Sequence, residues 1–591
     1  MNSTTRKSFG LVAVIAVILV STMSVAAAPH TTVDIQIINV SDWHGQLDPL
    51  VVGVTQVGGA AALSTYFQNE RAANPNTLTL TAGDAVGATP PLSSFFQDVP
   101  TILAMNLMGF QVDTFGNHNF DAGIARLQSQ INLANFDYVS ANLQNRDDNL
   151  TGVQDFQIYD VGGVKVGVVG LTNPEAPTLV FPGNFGTIVP TDPVKAAIQA
   201  RGAAKDAGAD IVVVITHMGV TGFDVSGAPF GPLIDFANAV NKDNNKNPKI
   251  DVIVGDHTDI QFSGIINGAL VYENRSKGLT YARAVLTIDS ESHKILNQSV
   301  TFVTPTTSAV TPDPAIVAML VPYRAAVAPI FNTVVGKSTV IIPRADACGQ
   351  SAGRSCESLI GDLVTDAMRS AYGTDFALTN SGGLRANLTC PVGLVDPNAG
   401  DFCPPSLYPI PDAGGNYAIT RGQVLGVLPF GNVSATLTIN GAELKDYLET
   451  AVSSLPVTGN GRFGQVSGLC FTFDVQGTAI SFSISGTAVP GTGSRVVSAI
   501  RQAPDGTCTG AAISFSAGVN YTLTTNDFTA SGGDGYQNFK SRITTQDSQD
   551  QDLADYLAAA PGGVVSPAIQ SRIHCTDSNT LVPPACPVGS P

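Results

Sequence analysis

The chain has 591 residues, 44% of them hydrophobic, enough for more than one buried core and too many for a disordered protein. Its 59 Gly and 36 Pro show no period, which excludes a collagen-like fibre. Lys and Arg number 30 against 47 Asp and Glu, a net charge of -17 with no basic stripe, which argues against binding nucleic-acid polymers. A small anion would need local arginines, metal ions or helix N-termini to hold it.

Residues 1–28 are predicted to be a secretory signal peptide. Arg6 and Lys7 precede the apolar run Phe9–Val20, and Val25-Ala26-Ala27-Ala28 offers small residues for cleavage. That run is short for a bilayer span, and no later run reads as long and apolar enough. The mature chain is therefore expected to be secreted, periplasmic or at the cell surface, with no membrane span. The eight cysteines (Cys348, Cys356, Cys390, Cys403, Cys470, Cys508, Cys575 and Cys586) agree with export and read as structural disulfides. Sequential pairing would close short loops, but the connectivity stays open at this point.

Between Val33 and Ile288, β-branched runs alternate with helical stretches. Strands are expected at Val33–Val40, Thr77–Thr81, Tyr138–Ser140, Val164–Val169, Ile211–Ile215 and Val252–Val254. Helices are expected at Ala60–Ala72, Val99–Met108, Ile124–Leu133 and Pro193–Ala207. This alternation predicts an α/β architecture with helices packed on a sheet. A Thr-, Pro- and Ala-rich stretch from Thr304 to Pro314 reads as a linker, followed by a helix at Ala315–Ala326. Beyond it, helices are expected at Ser358–Tyr372 and Ala442–Ser453, and strands between Phe471 and Leu523. The expected organisation is a catalytic domain at 29–310, a linker helix at 311–335, a second domain at 336–574 and a stapled tail at 575–591.

Five apolar runs end on metal-ligand types. VDIQIINV leads to Asp42 and His44, TLTLTAG to Asp84, DTFG to Asn117 and His118, DIVVVIT to His217, and DVIVG to Asp256, His257 and Asp259. A single Asp or His at a strand end is usually a loop cap. Five such ends converging outside the carboxyl edge of a sheet bring together oxygen and nitrogen donors suited to two divalent cations of the Zn, Mn or Fe type. Asp84 is the natural bridging carboxylate.

Asp42-x-His44, Gly83-Asp84, Gly116-Asn117-His118-x-Phe120-Asp121 and Thr216-His217 resemble the calcineurin-like metallophosphoesterases. Over nearly all of the mature chain the sequence is similar to the bacterial 5′-nucleotidase/UDP-sugar hydrolase family. The resemblance implies an N-terminal β-sandwich flanked by helices and a C-terminal α/β nucleotide-recognition domain. It also implies two ions (Zn, Mn, Co or similar), one held by Asp42, His44, Asp84 and Asp259, the other by Asp84, Asn117, His217 and His257. Two positions depart from the family pattern: Asn119 stands where Glu is usual, outside the metal set, and Asp259 where His, Gln or Asn is usual.

The same resemblance makes His118 and Asp121 a catalytic dyad, with the carboxylate fixing the imidazole tautomer. Asp121 also stands immediately before an apparent helix and could serve as its N-cap. In the second domain, Asn380-Ser381-Gly382-Gly383-Leu384-Arg385, Leu428-Pro429-Phe430-Gly431-Asn432 and Asn526–Tyr536 look like the family's substrate-binding segments. By that likeness Phe430 and Phe528 sandwich a nucleobase, Asp534 accepts from ribose hydroxyls, and Asn432 touches the base edge. Asn380 and Arg385 hold phosphate or ribose oxygens, Gly383 lets the backbone approach, and Arg354 adds a charge through a looser match.

The implied activity is hydrolysis of nucleoside 5′-phosphates, by in-line attack of a hydroxide held on the metal pair. UDP-sugar pyrophosphatase and 2′,3′-cyclic-nucleotide phosphodiesterase are the competing enzymes. A catalytically decayed exported nucleotide-binding protein is the rival of another class.

Overall fold

The computed structural model describes residues 1, 31–52, 55–242, 249–389, 411–456, 460–483, 486–578 and 585–590. The expected signal peptide, Cys390 and Cys403 lie outside these residues.

The first half contains two mixed sheets rather than one. The seven-stranded sheet runs Ile295–Val303, Tyr281–Asp289, Thr32–Asn39, Thr77–Leu80, Val112–Asp113, Asp137–Val139, Val153–Gln154. From Thr32–Asn39 onward its neighbours are parallel, while Tyr281–Asp289 closes against Thr32–Asn39 antiparallel. The six-stranded sheet runs Phe262–Ile266, Ala269–Glu273, Val252–Gly255, Ile211–Thr216, Val164–Leu171, Phe156–Val161.

Alternation along the strands shows how the sheets pack. Ile35 and Ile37 of the first sheet share one core with Val166, Val168, Val213 and Val254 of the second. Ile38 faces the opposite way, against helical Leu63, Phe67, Ile102 and Met105. Val212 and Val214 likewise turn outward onto Ala197, Leu233 and Phe236. The result is a sandwich of two sheets with helices outside both. Burial on both faces is why these parallel strands read as continuous apolar runs in the sequence.

The helix Pro314–Phe331 is capped by Asp313, whose carboxylate accepts from the Ala315 N–H. Against the sequence expectation, it is long and apolar enough to cross a membrane by length and composition. Here it docks on the protein, with Ile316, Leu320, Val327 and Phe331 buried in the outer core of the first sheet.

The second half is built on a five-stranded sheet in the order Gly464–Ser467, Phe376–Asn380, Asn520–Asn526, Val433–Asn440, Thr544–Ser548. Helix Leu359–Tyr372, capped by Ser358, packs Val364 and Met368 into a core with Leu553 and Leu557 of Gln549–Ala559. Among the described residues three disulfides join cysteines adjacent in order along the chain: Cys348–Cys356, Cys470–Cys508 and Cys575–Cys586. The expected tail begins inside structure. Cys575 sits in strand Ile573–Thr576, which pairs parallel with Leu469–Asp474.

Candidate active site

The residues expected to hold metal follow the carboxyl ends of parallel strands, where ligand crevices form in α/β sheets. Asp42 (φ 39°), His44 (φ 47°), Asp84 (φ 50°), His257 (φ 96°) and Asp259 (φ 59°) all adopt left-handed backbone there. For residues carrying a Cβ this conformation is uncommon, and such conformations concentrate at functional sites.

Five of the seven expected ligands converge, and Asn117 lines the same cavity. His217 Nε2 lies 2.9 Å from Asp84 Oδ2, 3.8 Å from Asp42 Oδ1 and 3.1 Å from His257 Nδ1. His44 Nε2 lies 3.7 Å from Asp42 Oδ1. His217 and His44 each place Nδ1 on a carbonyl, Ala82 O at 3.0 Å and Gly87 O at 2.8 Å. A carbonyl only accepts, so Nδ1 carries the proton and Nε2 is left facing the carboxylates, as in metal-ligating histidines. Asn117 Oδ1 is buried and accepts no hydrogen bond. An orphaned acceptor, opposed imidazole nitrogens and two buried carboxylates are a donor set that fits divalent cations.

The electrostatics reflect this crowding. Burial works to raise Asp84, but the His217 and His118 imidazoles outweigh it and hold the carboxyl far below its ordinary range. Burial likewise opposes charge on His217, yet Asp84 and Asp42 hold it up at about 9. His257 is pushed down to about 3 by burial and by His217. Close approach also requires glycine: a Cβ on Gly116 would lie 2.2 Å from Asp84 Oδ1.

Asp259 stands apart from this cluster. Its carboxylate accepts from the Ser276 N–H at 2.8 Å, lies 3.8 Å from Arg275 Nε, and is 44% exposed at the cavity rim.

His118 Nδ1 faces Asp121 at 2.9 Å from Oδ2 and 3.0 Å from Oδ1. Asp121 Oδ2 also accepts from the Ala88 N–H at 3.2 Å. It does not cap the following helix: Ala122 occupies that position before Gly123–Leu133, and no side chain caps it. The carboxylate is committed to the imidazole instead.

The second half closes over this cluster, enclosing a cavity of about 790 Å³, within the usual range for small-molecule sites. Arg354, Asn380, Gly383, Arg385, Phe430, Asn432, Phe528 and Asp534 all line it, together with the metal-ligand candidates. The Phe430 ring stacks on His118 at 5.7 Å between centroids, with the Arg385 guanidinium 5.7 Å from its centre. Phe528 packs on Gly533, where a Cβ would lie 2.3 Å from the ring. Asn380 Nδ2 donates to Asp534 Oδ2 at 2.7 Å, and Asn526 Nδ2 donates to Asn380 Oδ1 at 2.9 Å.

Several residues support the cluster, and of these Glu273, Arg344 and Arg462 were not singled out in the sequence. Asn119 Oδ1 accepts from the N–H groups of Asp84 (3.1 Å) and Gly116 (2.9 Å), tying two ligand loops together. Buried Asp256 accepts from the N–H groups of Asp42 at 2.9 Å and His257 at 3.0 Å. Glu273 accepts from the N–H groups of Val220 at 2.7 Å and Thr258 at 3.1 Å. Arg344 and Arg462 add cations to the cavity wall. Asp256 adjoins a ligand segment, which is a usable signal; Glu273, Arg344 and Arg462 lie in no motif.

Residues 35–258 match the calcineurin-like phosphoesterase family, and residues 334–541 match the 5′-nucleotidase C-terminal domain. Fold and families together define a metal-dependent phosphoester hydrolase. A cell wall protein of Listeria monocytogenes is 25% identical, the match covering 93% of this chain and 70% of that protein. An endonuclease of Bacillus subtilis is 28% identical over 76% of this chain, which spans only 35% of that longer protein. Among solved structures, a 5′-nucleotidase precursor from Thermus thermophilus superposes with a TM-score of 0.73 at 26% identity, covering 92% of this chain and 99% of that one. The chain belongs to the 5′-nucleotidase family, in which a calcineurin-like phosphoesterase domain precedes a 5′-nucleotidase C-terminal domain.

Proposed function

We propose that the protein is an exported 5′-nucleotidase that hydrolyses nucleoside 5′-phosphates to nucleoside and phosphate. One observation carries this reading. The carboxylate–imidazole cluster and the residues suited to a base, a ribose and a phosphate line a single cavity. The chemistry divides between a catalytic domain at 29–310 and a recognition domain at 336–574, joined through the linker helix at 311–335 and followed by the tail at 575–591.

Asp42, His44, Asp84, Asn117, His217 and His257 would hold two divalent ions, with Asp259 joining the first site once its carboxylate leaves Ser276. Such ions supply Lewis-acid stabilisation of phosphoryl charge and an activated water. Arg354 and Arg385 present planar donor forks to phosphate oxygens. With Nδ1 fixed on Asp121, His118 can pass a proton from Nε2 to the leaving 5′-oxygen. Phe430 and Phe528 offer ring faces to the base, a contact worth about 1–3 kcal/mol per base by side-chain removal. Asn380 steadies Asp534, whose carboxylate can accept from a ribose hydroxyl.

Export is supported by the composition of residues 1–28 and by the cell-wall relative. A substrate panel tests the specificity: AMP, UDP-glucose, 2′,3′-cyclic AMP and single-stranded DNA. The expected result is a kcat/KM for AMP at least tenfold above the others. A reversed order would identify the protein as a pyrophosphatase, a cyclic phosphodiesterase or a nuclease.

A further inference from the structure

The cavity wall includes a cation, Arg462, to which the nucleotide reading gives no role. Arg462 lines the cavity, its guanidinium 4.3 Å from the centre of the Phe482 ring. Its position is fixed from several sides. Its N–H donates to Asn460 Oδ1 at 3.0 Å, and its carbonyl accepts from the Tyr536 hydroxyl at 2.7 Å. Phe482 beneath it packs on Gly535, where a Cβ would lie 2.8 Å from the ring. Yet Arg462 Nε is buried without a hydrogen-bond partner, and the guanidinium makes no hydrogen bond or ion pair with any described residue. A guanidinium offers five N–H donors and no acceptor, so a fork held unpaired in a cavity is complementary to an anion.

The neighbours indicate which anion. Arg385 acts chiefly on Asp121, Asp84 and Asp42, at the end of the cavity that holds the ligand cluster, and less on Asp534. Arg462 follows Gly461, where a Cβ would lie 3.3 Å from Asp534 Oδ2, the oxygen that accepts from Asn380. A ribose presents two adjacent hydroxyls. Asp534 can accept from one of them, while the donor fork beside it can only donate to the oxygen of the other. A phosphate ester on that second oxygen matches the fork better, because it offers charged oxygens to two N–H donors at once.

We propose that Arg462 binds a phosphate ester on the ribose, so that the cavity favours nucleoside bisphosphates carrying phosphate at the 5′ position and at the 3′ or 2′ position. This rests on the nucleotide reading above, with the 5′-phosphate at the ligand cluster.

The test is equilibrium binding of AMP, adenosine 3′,5′-bisphosphate and adenosine 2′,5′-bisphosphate to the full mature chain after chelator treatment. It is run on wild type, Arg462→Ala and Arg462→Lys, and repeated as kcat/KM with metal restored. Wild type is expected to bind one bisphosphate at least tenfold more tightly than AMP, and the two isomers show which ribose oxygen carries the group. Arg462→Ala should bring that ratio close to one, and Arg462→Lys, which keeps charge without the fork, should fall between. Equal or tighter binding of AMP by wild type would overturn the proposal, as would equal weakening of all three ligands in Arg462→Ala. If binding follows the expected order while no phosphate is released from any ligand, the nucleotidase reading fails and the Arg462 assignment stands.

Discussion

His44 and Asp121 are linked through a single peptide bond. The Gly87 carbonyl accepts from His44 Nδ1–H at 2.8 Å, and the Ala88 N–H of the same peptide donates to Asp121 Oδ2 at 3.2 Å. One rigid plane therefore sets both the imidazole that faces Asp42 and the carboxylate that orients His118. Gly87 adopts φ +77°, and a Cβ there would lie 2.1 Å from His118 O. Gly87→Ala is expected to weaken metal affinity and kcat together, and to destabilise the fold by at least about 1–2 kcal/mol from the left-handed backbone alone. Metal titration, kinetics and thermal unfolding of one preparation check this; loss of only one of the two functions would show that the peptide does not couple them.

Asn119 makes a separable contribution. It serves the N–H groups of Asp84 and Gly116 through one oxygen, so Asn119→Ala leaves two buried donors unpaired. Each unpaired donor costs about 1–3 kcal/mol, and loss of such supporting contacts typically weakens metal binding about 10–100-fold. Urea unfolding and competition titration with a metal indicator read both effects. Unchanged metal affinity would mean that the two loops hold their shape without this bridge.

Asp259 tests how the first metal site is completed. Releasing its carboxylate from the Ser276 N–H costs one hydrogen bond to a charged group, about 1.5–3 kcal/mol, which binding an ion can offset. Asp259→Ala is expected to weaken binding of one ion about tenfold and leave the other unchanged. Two unaltered binding isotherms would instead leave Asp259 as a rim residue paired with Ser276.

Asp552 gives the fold a pH dependence away from the cavity. Its carboxylate accepts from the Tyr372 and Ser434 hydroxyls, each at 2.6 Å, while burial, the largest influence, raises it to about 6 from an ordinary 3.8. Because the folded value lies above the unfolded one, the stability it contributes is present below about pH 4 and is lost as pH rises through about 6. Asp552→Asn, neutral throughout, should flatten this part of the Tm profile between pH 4 and 6.5. Parallel wild-type and variant profiles would contradict it.

The ligand cluster was largely legible in the sequence because strands buried on both faces announce themselves as apolar runs, and the polar residues that interrupt them mark strand ends. The expected strand boundaries at Val33–Val40 and Ile211–Ile215 differ by one residue from the observed Thr32–Asn39 and Ile211–Thr216. The number of sheets was harder to read from alternation, since inward Ile35 and outward Ile38 are equally apolar. Asp121 carried two readings because a carboxylate before a helix can serve that helix or a nearby imidazole, and His118, three residues back in the same turn, takes it. Glu273 and Arg462 gave no signal: the loops they support or face are distant in sequence.

The most direct test of the central claim is phosphate release from AMP by the mature protein. It is measured after chelator stripping, after restoring Mn²⁺, Zn²⁺ or Co²⁺, and in His118→Ala. The expected result is activity that vanishes on stripping, returns with metal, and falls about 10²–10⁴-fold in the variant. Turnover that survives chelation or is indifferent to His118 would contradict the two-metal mechanism, and silence with every metal from a folded protein that still binds AMP would make this chain a nucleotide-binding protein.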